Sequence, residues 1–143
     1  MTDLPSRCVI DASVGMKLVL PEEGSEEVQR LFDGSLDDLA DSLLVPDLFF
    51  AECGNVLWKR VRRAEITAHT ARKSMDDLLA LRMTSTPTEE LAARAVDIAL
   101  NHGVTVYDAC YAALAEMKSV PLLTADRALV GRLEKGPCET VLL

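Results

Sequence analysis

Four carboxylates stand where an acid is either costly or well placed for chemistry. Asp11 closes the apolar run Cys8-Val9-Ile10, and Asp126 follows Leu122-Leu123-Thr124-Ala125. Asp108 follows Val104-Thr105-Val106-Tyr107, and Glu52 lies among Phe49, Phe50, Cys53 and Val56. Hard oxygen donors of this kind suit Mg2+ or Mn2+, which take a few carboxylates and complete their shell with water and substrate phosphate. Acids that converge without a cation repel one another and raise their own pKa values. Each residue also has a plainer use. Asp11, Ser13, Asp108 and Asp126 suit helix N-caps, and Glu52 suits the polar face of a helix. Spacing alone leaves both uses open.

The elements that must position these residues alternate in type. Cys8–Ile10 reads as a strand, followed by a short helix that Pro21 stops. Pro21-Glu22-Glu23 opens a second helix with Val28, Leu31 and Phe32 on its apolar face, and Leu43-Leu44-Val45 forms a second strand. Helical spacing runs from Leu48 to about Arg63, then from Thr67 to Leu81. A short strand over Met83–Thr86 precedes a helix from Thr88 to Leu100, ended near Gly103. A helix beginning at Tyr107-Asp108 runs to about Lys118, Val120–Thr124 is a strand, Asp126–Leu133 a helix, and Thr140–Leu142 a last strand. Such alternation predicts a single α/β domain over residues 1–143 with a mainly parallel sheet, whose function gathers beyond the carboxyl ends of its strands.

Composition narrows the class. With 143 residues, 49% hydrophobic and 27% charged, the chain has the balance of one globular domain and too much apolar content for a disordered coil. It has no apolar run of about 18 residues and no basic start followed by an apolar stretch, so it is expected in the cytoplasm, away from membranes. The scattered Cys8, Cys53, Cys110 and Cys138 read as free thiols, and His69 and His102 stand apart, which counts against zinc.

The net charge is −8, and its excess sits in residues 1–52, with twelve acids against three bases. Glu22, Glu23, Glu26, Glu27, Asp33, Asp37, Asp38, Asp41 and Asp47 read as a solvated acidic face, and Lys17 as a solvated helix lysine. Residues 53–143 are nearly neutral and carry one basic cluster, Lys59-Arg60-Val61-Arg62-Arg63. That cluster either grips phosphates or only complements a helix C-terminus. The few aromatic residues give no clear platform for stacking bases.

Val9-Ile10-Asp11-Ala12-Ser13-Val14, with Lys17 and Pro21-Glu22, resembles the opening motif of PIN-domain ribonucleases, in particular the VapC toxins of toxin–antitoxin modules. Pro46-Asp47-Leu48 with Ala51-Glu52 and Asn55-Val56-Leu57 resembles the second motif, and Tyr107-Asp108-Ala109 with Tyr111–Ala115 the third. Leu122-Leu123-Thr124-Ala125-Asp126 resembles the fourth, so the likeness runs in order over nearly the whole chain.

The resemblance implies a three-layer α/β/α sandwich in which Asp11, Glu52, Asp108 and Asp126 hold Mg2+ or Mn2+. It assigns supporting hydroxyls to Ser13 and Thr124, with Asn55 nearby, at i+3 from Glu52 and so on the same helix face. It implies an endoribonuclease that leaves 5′-phosphate and 3′-hydroxyl ends. An acidic pocket needs basic contacts at its rim to hold RNA, and Lys59, Arg60, Arg62 and Arg63 are the candidates for them. It further implies a VapB-like antitoxin as partner, and a homodimer. A different class also fits the residues: a non-catalytic α/β binding module whose acids are caps or a structural cation site. Phosphotransfer at Asp11 fits less well, because Ser13 stands where that chemistry wants a second Asp.

Overall fold

The computed structural model describes residues 6–31 and 41–143, and Phe32, Asp33, Asp37 and Asp38 lie outside the described residues. The strands are β1 (Cys8–Ile10), β2 (Leu43–Pro46), β3 (Thr84–Thr86), β4 (Leu122–Thr124) and β5 (Thr140–Leu142). They lie side by side in the order β3-β2-β1-β4-β5, and every pair is parallel. Val9 pairs with Leu44 on one side and Leu122 on the other. All residues of β1, β2 and β4 are buried, as strands covered on both faces must be. The edges differ: Thr84 and Ser85 of β3 are exposed and β5 is half-buried, so the outer strands carry polar or partly wet side chains.

From β1 the chain moves outward through β2 to β3, then returns to β4 on the far side of β1. The strand order therefore reverses between β1 and β4, and ligands of open parallel sheets favour the carboxyl edge of such a reversal. Asp11 and Ala125 stand at that edge.

The helices among the described residues are α1 (Ala12–Val19), α2 (Ser25–Leu31), α3 (Leu48–Arg62), α4 (Ala68–Ala80), α5 (Thr88–His102), α6 (Val106–Lys118) and α7 (Arg127–Arg132). α1 packs on α3 and α4, whereas α6 packs on β1, β2 and β4 and against α5, giving a three-layer α/β/α arrangement. Ala109 to Ala115 are all buried. Four alanines in that stretch keep the helix thin enough to lie directly on the sheet. α1 and α3 also approach closely: a Cβ on Gly15 would lie 2.8 Å from Phe49 Cζ. A side chain at Gly15 would push α3 away from the sheet edge.

Several boundaries differ from those that periodicity suggests. The second helix begins at Ser25, because Gly24 has a left-handed φ of 84° and Glu23-Gly24 form a turn. The sheet is wholly parallel among the described strands. The helix expected to start at Tyr107 starts at Val106, with Thr105 as its N-cap accepting from Asp108 N at 3.1 Å. Asp108 is thus a first-turn acid and not a cap. Asp126 does cap α7, accepting from Leu129 N at 3.1 Å. The four cysteines are free thiols, and no helix among the described residues is long and apolar enough to cross a membrane.

Candidate functional site

The end of β1 delivers Asp11 into a buried position at the sheet edge. Its Oδ1 accepts from Val14 N at 3.2 Å, capping α1, and from Ser13 Oγ at 2.5 Å. Its Oδ2 accepts from the Thr124 hydroxyl at the end of β4. Ser13 Oγ accepts in turn from Ala125 N at 2.9 Å, and Thr124 Oγ1 from Asp126 N at 3.1 Å. The two hydroxyls tie the edges of β1 and β4 together around one carboxylate. Ser13 therefore serves as a bridge inside α1, not as a cap. Burial raises the Asp11 carboxyl above its ordinary range, while the Ser13, Thr124 and backbone hydrogen bonds hold it down.

Glu52 reaches the same region from α3. Asp47, in the cap position of that helix, turns instead to α5, accepting from Thr88 N at 2.9 Å and from the Thr88 hydroxyl. Those bonds lower its carboxyl and join the end of β2 to the start of α5, so it is more than a member of a solvated acidic face. Glu52 is not on a solvated face either. Its Oε1 is buried without a hydrogen-bond partner among the described residues. Burial first, then the charges of Asp108 and Asp11, push its carboxyl up to about 7. The buried Tyr111 hydroxyl also has no partner among the described residues, and Glu52 is the charge that weighs most on it.

Asp108 completes the coupled set from α6. Its carboxyl is raised by burial and by Asp11 and Asp126, against the opposing pull of the Thr105 hydroxyl and the Arg132 guanidinium. Glu52, Asn55, Thr105, Tyr107 and Asp108 line a cleft of about 540 Å3, with Leu48 and Ala51 as its apolar part. The structure thus brings Asp11, Glu52 and Asp108 into one electrostatic neighbourhood, with Asp126 at its exposed rim.

This donor set fits a hard divalent cation. A buried carboxylate oxygen without a donor, pressed by two further acids, is the environment that such an ion relieves. Among the described residues no three acidic, Cys or His side chains are gathered tightly enough to enclose an ion. Mg2+ does not need such a cage, since it usually keeps several waters and takes only one or two carboxylates.

The basic cluster lies farther off. Lys59 to Arg63 follow Glu52 by seven to eleven residues on or just beyond α3, roughly 10–16 Å along the helix axis. Arg60 is half-buried and its Nη2 meets Glu22 Oε2 at 2.5 Å. Lys17 Nζ lies 3.6 Å from Glu22 Oε1 and donates to the Glu23 carbonyl. Lys17 and Glu22 are therefore not solvated as expected; with Arg60 they tie the end of α1 to α3. Arg62 stacks over Trp58, 5.0 Å from the ring centroid, and Lys59, Arg62 and Arg63 are exposed.

The pairing of Glu22 with Arg60 has no short-range signal in sequence, because its partners are 38 residues apart. Tyr107 and Tyr111 are visible there within the third motif, among aromatic residues too few to suggest a stacking platform.

The PIN domain family matches residues 8–132, a span that holds all four acids and reaches from β1 to the end of α7. The chain belongs to that family. Ribonuclease VapC3 of Pyrobaculum aerophilum is 39% identical over 135 residues, covering 92% of this PIN domain chain and 95% of the relative. Ribonuclease VapC1 of Mycobacterium tuberculosis is 34% identical over 138 residues, covering 95% and 97%. The crystal structure of PAE2754 from Pyrobaculum aerophilum superposes with a TM-score of 0.68 at 25% identity, over 94% of this chain and 90% of that one. FitAcB from Neisseria gonorrhoeae shares the fold, with a TM-score of 0.54 at 20% identity over 93% and 95%.

Proposed function

We propose that this PIN domain is a metal-dependent endoribonuclease, the toxin of a toxin–antitoxin pair, held in check by a VapB-like protein and acting in the cytoplasm as a homodimer. The observation that carries the reading is the unpartnered, buried Glu52 oxygen beside Asp108 and Asp11, at the reversal of strand order. Capping accounts for Asp11 and Asp126, and a helix dipole for Asp108, but neither accounts for Glu52. Near-full-length relatives named ribonucleases support the substrate class.

Asp11, Glu52, Asp108 and Asp126 would hold Mg2+ or Mn2+. Bound there, the ion supplies a water of low pKa and positive charge for the leaving oxygen of a phosphodiester. The chain's own part is positional. Ser13 and Thr124 fix the Asp11 carboxylate, and Phe49 and Cys53, buried on either side of Glu52, fix its place on α3. Glu52, whose carboxyl is pushed up to about 7 without a cation, would give up its proton as the ion binds. Asn55 offers an amide donor and acceptor to the substrate at the cleft, and Lys59, Arg62 and Arg63 draw in the strand beyond it.

Incubation with a circular single-stranded RNA tests the reading. Linear product in Mg2+ or Mn2+, and none in EDTA, is the expected result. Circles that stay intact while linear RNA is trimmed would make the enzyme an exonuclease, and cleavage that persists in EDTA would remove the metal.

A further inference from the structure

The cleft between α3 and α6 carries a feature that the acids do not explain. Tyr107 is 68% exposed, although the other tyrosine, Tyr111, is fully buried. It stands in the first turn of α6, next to Asp108, and lines the cleft together with Leu48, Ala51 and Asn55. The large aromatic face adds nothing to the core from that position. Trp58, the other well-exposed aromatic side chain among the described residues, is covered by the Arg62 guanidinium and lines a separate groove with Met75 and Arg72. Tyr107 is therefore the open ring that borders the acids.

We propose that this cleft is a nucleobase subsite, in which Tyr107 stacks on the base beside the phosphate that is cut. The inference rests on the ribonuclease reading and deepens it. Single-stranded RNA is recognised mainly by stacking splayed bases on aromatic side chains and hydrogen-bonding their edges. Here the ring of Tyr107, the apolar surface of Leu48 and Ala51, and the exposed amide of Asn55 offer both kinds of contact. The cleft, about 540 Å3, lies within the 300–1,000 Å3 typical of small-molecule sites. Asp108 and Glu52 line the same cleft as Tyr107, so a base on the ring leaves its own phosphate near the carboxylates.

The test is a cycle of protein and substrate changes in Mn2+. Wild type, Tyr107→Phe and Tyr107→Ala act on an RNA oligonucleotide of known cut site, intact or with an abasic nucleotide on one side or the other of the cut. Because Tyr107 is exposed, all three proteins are expected to melt alike. Tyr107→Phe keeps the wild-type KM, whereas Tyr107→Ala raises it about tenfold with kcat within twofold. An abasic nucleotide at the stacked position costs the wild type a similar factor and costs Tyr107→Ala nothing more. A wild-type KM in Tyr107→Ala, or losses from ring and base that simply multiply, would overturn the subsite while leaving the ribonuclease reading intact. Failure of the wild type to cut any RNA in Mn2+ would overturn that reading, and the subsite with it.

Discussion

Glu52 lies where water does not reach one of its oxygens and where two other acids face it. Its carboxyl, ordinarily near 4.5, is pushed up to about 7 in the folded protein. The folded state then binds this proton more tightly than the unfolded chain does, so metal-free stability falls as pH rises from about 4.5 through 7. The raised carboxyls of Asp11 and Asp108 act in the same direction. Glu52→Gln removes the charge, and in EDTA at pH 8 it should make the protein about 2 kcal/mol more stable than wild type. Thermal melts across pH, with and without Mn2+, check this: Mn2+ should restore the wild type at high pH and help the variant less. Thr124→Val has the opposite sign. It keeps the shape but strips Asp11 Oδ2 of its donor, and should cost about 1–3 kcal/mol in urea denaturation. A midpoint equal to wild type would show that this hydroxyl does not hold the carboxylate.

Among the elements, the approach of α1 to α3 governs where the acids stand. Phe49 and Cys53, which flank Glu52 along α3, close over Gly15. Gly15→Val should therefore cost about 1–3 kcal/mol through overpacking, and should lower activity more than stability alone explains, because Glu52 moves with its helix. Chemical denaturation with parallel activity measurements would show it; a well-folded, fully active Gly15→Val would mean that the contact does not set Glu52. Much of this framework is legible in the chain. Apolar runs mark the strands, and their alternation with helices implies a parallel sheet, because each strand must be buried on both faces. Helix starts are less legible. Thr105, Ser13 and Asp108 are all residue types that cap, and only the backbone geometry shows that Thr105 caps α6 while Ser13 bridges to Ala125. Contacts between distant segments, such as Glu22 with Arg60 and Asp11 with Thr124, leave no periodic trace.

For the molecule as a unit, a net charge of −8 argues against binding nucleic acid over the entire surface. The charges are sorted, however. Some of the acids meet at the sheet edge, Glu22 is neutralised by Arg60 and Lys17, and Lys59, Arg62 and Arg63 stand exposed at the far end of the helix that carries Glu52. Reversing Lys59, Arg62 and Arg63 to Glu should weaken RNA binding alike for all sequences. It should also flatten the salt dependence, by about 0.7 in the log–log slope for each phosphate of a single strand that is no longer neutralised. Fluorescence anisotropy over a range of salt concentrations checks this, and an unchanged slope would place those residues on a merely solvated face. Arg60 is excluded from that set, because its ion pair with Glu22 is part of the packing.

If Asp11, Glu52, Asp108 and Asp126 act together on one divalent ion to cut RNA, neutralising any of them must be felt in the rate. The decisive measurement is RNA cleavage against Mn2+ concentration for wild type, Asp11→Asn, Glu52→Gln, Asp108→Asn and Asp126→Asn, each shown to be folded. We expect saturable, Mn2+-dependent cleavage by the wild type, abolished by EDTA, and a loss of about a hundredfold or more in each variant. Undiminished cleavage by the folded carboxamide variants would contradict a shared metal site.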